Sequence, residues 1–312
     1  MTNPHNSQSN GETISLLQES DWNEEWKRLQ RIRRRADDAQ YWNKRSKNFS
    51  SKDSPSPYVS AFLEMAAVQP GERVLDMGCG TGSIAVPLAL AESHVIAADF
   101  SQGMLNETAA RVEVAEREHN AHIADRIETK LMSWDDNWDE HGMGAHCVDV
   151  AIASRSIATH DLRQALMKLN HVASRRCCVT LTTGCSPRMD RNVLSAIGVR
   201  NRHGNDAQYA WNILLNDGFE PTCSYIRSTR LDTFDDLADA AVDFGRMITD
   251  TLDENDTEGI AQAKRNLETW LQDNLVPNEH VGKPDSKGIP QKALRLRNPR
   301  VITWAFISWE TK

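Results

Sequence analysis

The sequence predicts an α/β architecture: a doubly wound, mostly parallel sheet with an N-terminal helical segment and a late helical insertion. Three observations predict it. Short, unbroken apolar runs alternate with helix-period segments between about Pro57 and Thr183, as strands covered by helices on both faces require. The first run enters a glycine-rich turn, Gly78-Cys79-Gly80-Thr81-Gly82, which opens a helix. The second run ends on an acidic residue, Asp99.

The elements follow in chain order. Met1–Glu19 is rich in Asn, Ser and Gln and is expected to be disordered or loosely docked. Asp21 and Glu24 have the spacing of a capping box, and Trp22, Trp26 and Leu29 then form one apolar stripe of a helix. The other face carries Lys27, Arg28, Arg31, Arg33, Arg34 and Arg35, either a solvated surface or a contact for an anionic partner. Ser50–Tyr58 reads as a linker. A short helix over Tyr58–Val68 ends at the turn Gln69-Pro70-Gly71. Strands are expected at Arg73–Met77, Val95–Asp99, Ile127–Met132, Val148–Ala153 and Cys178–Thr183, with helices at Ser83–Ala91, Gly103–Glu118 and Asp161–Ala173. A helix at Asn205–Asn216, a strand at Pro221–Arg227 and a final strand at Arg300–Trp309 complete the core. Leu237, Ala241, Phe244, Ile248 and Leu252 mark one inserted amphipathic stripe, and Ile260, Ala263, Leu267, Trp270 and Leu271 a second. Pro277–Gln291 is polar and rich in Pro and Gly, hence a loop.

Composition narrows the class. The chain has 312 residues, 39% hydrophobic and 26% charged, with a net charge of −8, an ordinary globular profile. The acidity argues against a general nucleic-acid binder. No apolar run approaches the length of a membrane span, and the polar start does not resemble a secretory signal. The six cysteines form no Cys-x-x-Cys pair, so reduced thiols in a cytoplasmic protein are expected, and His/Cys spacing offers no metal site.

The chemistry lies in Val74-Leu75-Asp76-Met77-Gly78-Cys79-Gly80-Thr81-Gly82. An acidic residue at the end of the second strand suits the two hydroxyls of a ribose. The dinucleotide fingerprint would place a third glycine where Ser83 stands. Asp76 would also repel a pyrophosphate and favours a cationic ligand without phosphate. VLDMGCGTG followed by VIAADFSQGML resembles the glycine motif and the acidic second-strand motif of the class I S-adenosyl-L-methionine (SAM)-dependent methyltransferases of small molecules, over about Gly71–Thr183.

The resemblance implies a Rossmann-like fold, SAM as cofactor and S-adenosyl-L-homocysteine (SAH) as product. It also implies roles. Asp76 orients the loop near the methionine moiety. Gly78, Cys79, Gly80 and Gly82 line the cofactor, Asp99 holds the ribose, and Phe100 or Met104 flanks the adenine. The family often has an Asp after strand three; here Ser133 stands there, followed by Trp134 and Asp135, which leaves the adenine contact among those three. Ser154 and Arg155 occupy the edge where cofactor meets acceptor, with Arg155 directed at an anionic acceptor or the cofactor carboxylate. Tyr41-Trp42-Asn43-Lys44-Arg45 resembles a YW-x-x-R element that folds over the cofactor, and Tyr41 is the expected cation–π partner of a sulfonium. The implied organisation is a tail and helical cap over 1–56, a SAM-binding core over 57–231, a helical insertion over 232–297 serving as lid or homodimer element, and a final core strand over 298–312.

Methyl transfer from a sulfonium is an in-line displacement in which the protein supplies position and desolvation. A general base is needed only when the nucleophile must lose a proton, and His160 is the candidate; a histidine at a helix start beside Asp161 is the plainer reading. No Asn/Asp-Pro-Pro-Tyr-like tetrapeptide follows strand four, where Ser154-Arg155-Ser156-Ile157 stands, which weakens an amino-base or protein-glutamine acceptor. The leading expectation is a small-molecule methyltransferase. The alternatives are a tRNA or rRNA methyltransferase docking through Lys27–Arg35, a SAM-binding protein without turnover and, last, a nicotinamide oxidoreductase.

Overall fold

The computed structural model describes residues 20–33, 39–46, 56–157, 159–200, 205–285 and 288–312. The expectations for Met1–Glu19, for Arg34 and Arg35, and for most of the 50–58 linker lie outside them. No described helix is long and apolar enough to cross a membrane.

Seven strands form one sheet in the order β3-β2-β1-β4-β5-β10-β6: β1 Arg73–Met77, β2 His94–Asp99, β3 Ile127–Leu131, β4 Val148–Ser154, β5 Ala173–Thr182, β6 Thr222–Arg230 and β10 Arg300–Glu310. The first five pair in parallel, and β10 runs antiparallel between β5 and β6. This is the mixed, mostly parallel, doubly wound sheet expected. Strand order reverses between β1 and β4, and ligands of open α/β sheets bind in the crevice at such a switch, outside the carboxyl ends of the strands.

Helices cover both faces. On one side α1 (Trp22–Arg33), α6 (Leu162–Val172) and α8 (Asp206–Asn216) enclose a core with Leu75, Met77, Ala151, Val179 and Ile307. On the other, α3 (Pro57–Ala66), α4 (Ala85–Leu90) and α5 (Gln102–His119) enclose Val74, Val95, Ala97, Val150 and Ile152. The inner strands are apolar on both faces because both faces are covered. Each fully buried Val, Leu or Met contributes roughly 1.5–3 kcal/mol.

The two inserted stripes lie on α9 (Leu237–Thr249) and α10 (Thr257–Asn274), except Leu252, which follows the end of α9, and they share a third core with α7 (Arg191–Ala196). Beside them a small sheet, β7 (Thr233–Phe234), β9 (Leu294–Leu296) and β8 (Leu275–Pro277), closes the insertion. Strands of two or three residues carry no readable periodicity. The core strand β5 begins five residues earlier than the apolar run at Cys178. Its start is written in arginines: Arg175 pairs with Glu72 at 2.6 Å, and Arg176 donates to Ser308 Oγ at 2.8 Å. Asp21 does cap α1, its Oδ1 accepting from the Asn23 and Glu24 amides, but the Glu24 carboxylate turns to Lys27 at 3.0 Å.

Candidate functional site

The glycine turn sits where β1, β2 and β4 end. Its first amides bond back to the sheet, Gly78 N and Cys79 N both donating to the Ala98 carbonyl, at 2.7 and 2.9 Å. Gly78 and Gly80 have φ of +74° and +58°, a region that costs a side-chain-bearing residue energy. Sterics separate the two. A Cβ on Gly78 would overlap Ser156, whereas one on Gly80 would meet nothing within 4 Å. Gly78 is therefore required by the protein's own packing, and Gly80 leaves its backbone open to a ligand. Gly82 rests against the Thr108 methyl, and Thr108 Oγ1 donates to the Gly80 carbonyl at 2.9 Å.

Two carboxylates lie beneath this loop. Asp99 is 5% exposed; its Oδ2 accepts from Gly80 N at 3.0 Å and its Oδ1 from Ser101 N at 2.8 Å. Burial raises its pKa, and the amides of Ser101, Gly80 and Phe100 oppose the rise. Asp76 is 2% exposed, and its Oδ2 has no hydrogen-bond partner. Desolvation first, then repulsion from Asp99, pushes it up to about 7, with the Ala85 amide pulling the other way. Burial and the same two carboxylates hold the Cys79 thiol well above its ordinary value, so it stays protonated and is no nucleophile.

The remaining expected residues surround this centre. Phe100 is 37% exposed at the end of β2, while Met104 is buried on the first turn of α5. Helix α2 (Ala39–Arg45) packs there: Asn43 Oδ1 accepts from Ser101 Oγ at 2.7 Å and from Gly103 N at 2.9 Å. It carries Tyr41, half-buried and edge-on to Trp42 at 5.3 Å. After β3, Ser133 Oγ accepts from Asp135 N, and Trp134 Nε1 donates to the Ser156 carbonyl at 3.0 Å, joining the turns after β3 and β4.

After β4, Ser154 Oγ and Thr180 Oγ1 each lie 2.8 Å from the hydroxyl of the buried Tyr58. Arg155 is exposed, at φ +58°, with its guanidinium 4.1 Å over the Tyr58 ring. His160 is exposed. Both its neighbours are engaged by α1. Trp26 Nε1 donates to the Thr159 carbonyl at 2.9 Å, and Asp161 takes Asn23 Nδ2 at 2.9 Å and Lys27 Nζ at 3.0 Å.

Sequence reasoning missed Ser156, Thr108, Asn43 and Tyr58. Ser156 Oγ donates to the Met77 carbonyl at 2.6 Å and wedges under Gly78. Asn43 carried a signal in its place within YWNKR; Ser156, Thr108 and Tyr58 carried none, because their partners lie 28 or more positions away.

The residues present fit SAM. An unpartnered buried carboxylate oxygen beside a second carboxylate attracts a cation and repels a phosphate, and the open backbone at Gly80 admits close approach. Among the described residues no cluster of His, Cys, Asp and Glu is arranged for a metal.

Residues 74–174 match the model of a methyltransferase domain. An uncharacterised protein of Haemophilus influenzae is 33% identical over 189 residues, 60% of this chain and 66% of that one. A release factor glutamine methyltransferase of Cereibacter sphaeroides is 36% identical over 97 residues, 30% of this chain and 32% of that one. A demethylmenaquinone methyltransferase of Clavibacter sepedonicus is 44% identical over 69 residues, 22% of this chain and 27% of that one. The chain thus spans from about a quarter to just under two thirds of the length of these relatives. The strand order, the glycine loop over its carboxylate pair and the match over 74–174 lead to one conclusion: residues 74–174 form a methyltransferase domain.

Proposed function

We propose that the protein transfers a methyl group from SAM to a small-molecule acceptor. The observation that carries the reading is the buried carboxylate pair under an open glycine loop, with Asp76 Oδ2 unpartnered. When bound, SAM supplies an electrophilic methyl on a sulfonium. Asp76 would balance its positive charge, Asp99 would hold the ribose hydroxyls, and Gly78, Cys79, Gly80 and Gly82 would line its path. Phe100 or Met104 would flank the adenine, with Ser133, Trp134 or Asp135 beside it. Tyr41 on α2 would face the sulfonium, and Ser154 and Arg155 would border the acceptor. His160 would accept a proton where the acceptor's nucleophile carries one.

The N-terminal helix supports a small acceptor over RNA. Lys27 is paired with Asp161 and Glu24, and Arg28 lies 3.8 Å from Glu25, so these two cations have acidic neighbours of their own. The named relatives include both a release factor glutamine methyltransferase and a demethylmenaquinone methyltransferase; the Ser154-Arg155-Ser156-Ile157 turn counts against a glutamine acceptor.

Titration calorimetry with SAM, SAH and NAD tests the cofactor. Binding of SAM and SAH without NAD is expected, and NAD binding would refute the reading. SAH release on incubation with SAM and a small-molecule panel tests turnover. Steeply salt-dependent RNA affinity with RNA-dependent SAH release would replace the small acceptor with RNA.

A further inference from the structure

We propose that the acceptor carries a compact anionic group, a carboxylate or a phosphate, and that Arg155 recognises it. The inference rests on the methyl-transfer reading above and names the class of its second substrate.

Arg155 is held in place from three directions. Its backbone is left-handed, φ +58°, a conformation that persists in a non-glycine residue only where the surroundings impose it. Its amide donates to Thr180 Oγ1 at 2.9 Å. Its guanidinium lies 4.1 Å over the ring of Tyr58, and that ring is fixed by two hydroxyl contacts, to Ser154 and to Thr180. Stacking on a buried aromatic restrains the planar fork without using any of its N–H donors. The chain is acidic, with 44 Asp and Glu against 36 Lys and Arg. Even so, among the described residues Arg155 has no carboxylate partner, while Arg163, Arg175, Arg295 and Arg300 each have one.

The position matters as much as the geometry. Arg155 stands between Ser154, which contacts Tyr58, and Ser156, which lies under Gly78. It is therefore at the sheet's switch point, next to the cofactor loop. Helix α7, which follows the adjacent strand β5, carries a second cation on its first residue: the Arg191 guanidinium lies across Gly184, in the loop after β5, and likewise has no carboxylate partner among the described residues. A restrained, unpaired guanidinium fork matches a carboxylate or phosphate by paired N–H donors. Asp76 and Asp99 already give the cofactor end of the crevice a negative character, so these arginines make the acceptor end its electrostatic complement.

The test uses the full-length protein saturated with SAH. Benzoate, its neutral counterpart benzamide, and inorganic phosphate are titrated by NMR and calorimetry. Saturable binding of benzoate or phosphate, with benzamide about tenfold weaker or worse, is expected. Arg155→Gln should weaken the anion about tenfold while SAH affinity stays within about twofold, and Arg155→Lys should fall between. Arg191→Gln should weaken the anion less. Preference for benzoate assigns a carboxylate; preference for phosphate assigns a phosphate. Equal binding of benzoate, phosphate and benzamide overturns the inference. So does an R155Q variant that loses SAH instead of the anion, since Arg155 would then serve the cofactor carboxylate. Failure of the wild type to bind SAH at all refutes the methyl-transfer reading itself.

Discussion

Replacing Asp76 by Asn should stabilise the ligand-free protein and cripple its cofactor site at once. The carboxyl is buried, its Oδ2 is unpartnered, and Asp99 repels it. Each tenfold change in proton affinity is worth about 1.4 kcal/mol, so moving this group from 3.8 to about 7 costs the ligand-free fold up to about 4 kcal/mol once it is ionised. The native state holds the proton more tightly than the unfolded chain. Wild-type stability therefore falls as pH rises from about 4 to about 7 and is flat in this respect above that window. Asn has the same shape and no charge to lose. Urea unfolding across this range should find D76N more stable by about 2–4 kcal/mol near pH 8, with the gap closing toward pH 4. SAM affinity should meanwhile fall at least about tenfold, because the carboxylate proposed to balance its positive charge is gone. A D76N protein that is less stable near pH 8, or whose difference from wild type ignores pH, would refute the argument that this carboxylate is strained until a cation meets it.

Other substitutions separate packing from ligand contact. Gly80→Ala should cost only about 1 kcal/mol of stability for its left-handed backbone, since its Cβ meets open space, yet should weaken SAM binding strongly; unchanged affinity in calorimetry would show that no ligand approaches there. Gly78→Ala, whose Cβ overlaps Ser156, should lower the melting temperature far more than G80A. Trp26→Ala removes a side chain 2% exposed and its bond to the Thr159 carbonyl, and should destabilise by about 3–5 kcal/mol in urea unfolding. Arg300→Met leaves Asp232, 5% exposed, without its 2.7 Å partner and should cost about 3–5 kcal/mol; a smaller loss would mean that Arg230, the other partner of Asp232, suffices to hold it.

The sequence made the parallel core legible because β1, β2 and β4 are mostly apolar and each turn carries its own chemistry. β1 spans the residues expected of it, Arg73 to Met77, and Asp99 closes β2 as read. The start of β5 was illegible because Arg175 and Arg176 place their charges on Glu72 and Ser308, which no local pattern reveals. The small sheet of the insertion was illegible because its strands are too short to have a period.

By itself, the sequence determined the strand–glycine loop–helix unit and the acidic end of β2, because backbone freedom and the adjacent strand are local properties. Only the tertiary structure decided what that unit rests on. Ser156 reaches Gly78 because strand order reverses between β1 and β4, Asp76 is strained because the closed sheet buries its carboxyl and, second, brings Asp99 beside it, and Arg155 is stacked because Tyr58 arrives from a helix 97 positions away. Each is a contact between residues distant in sequence, and its energy exists only once the sheet has closed around it.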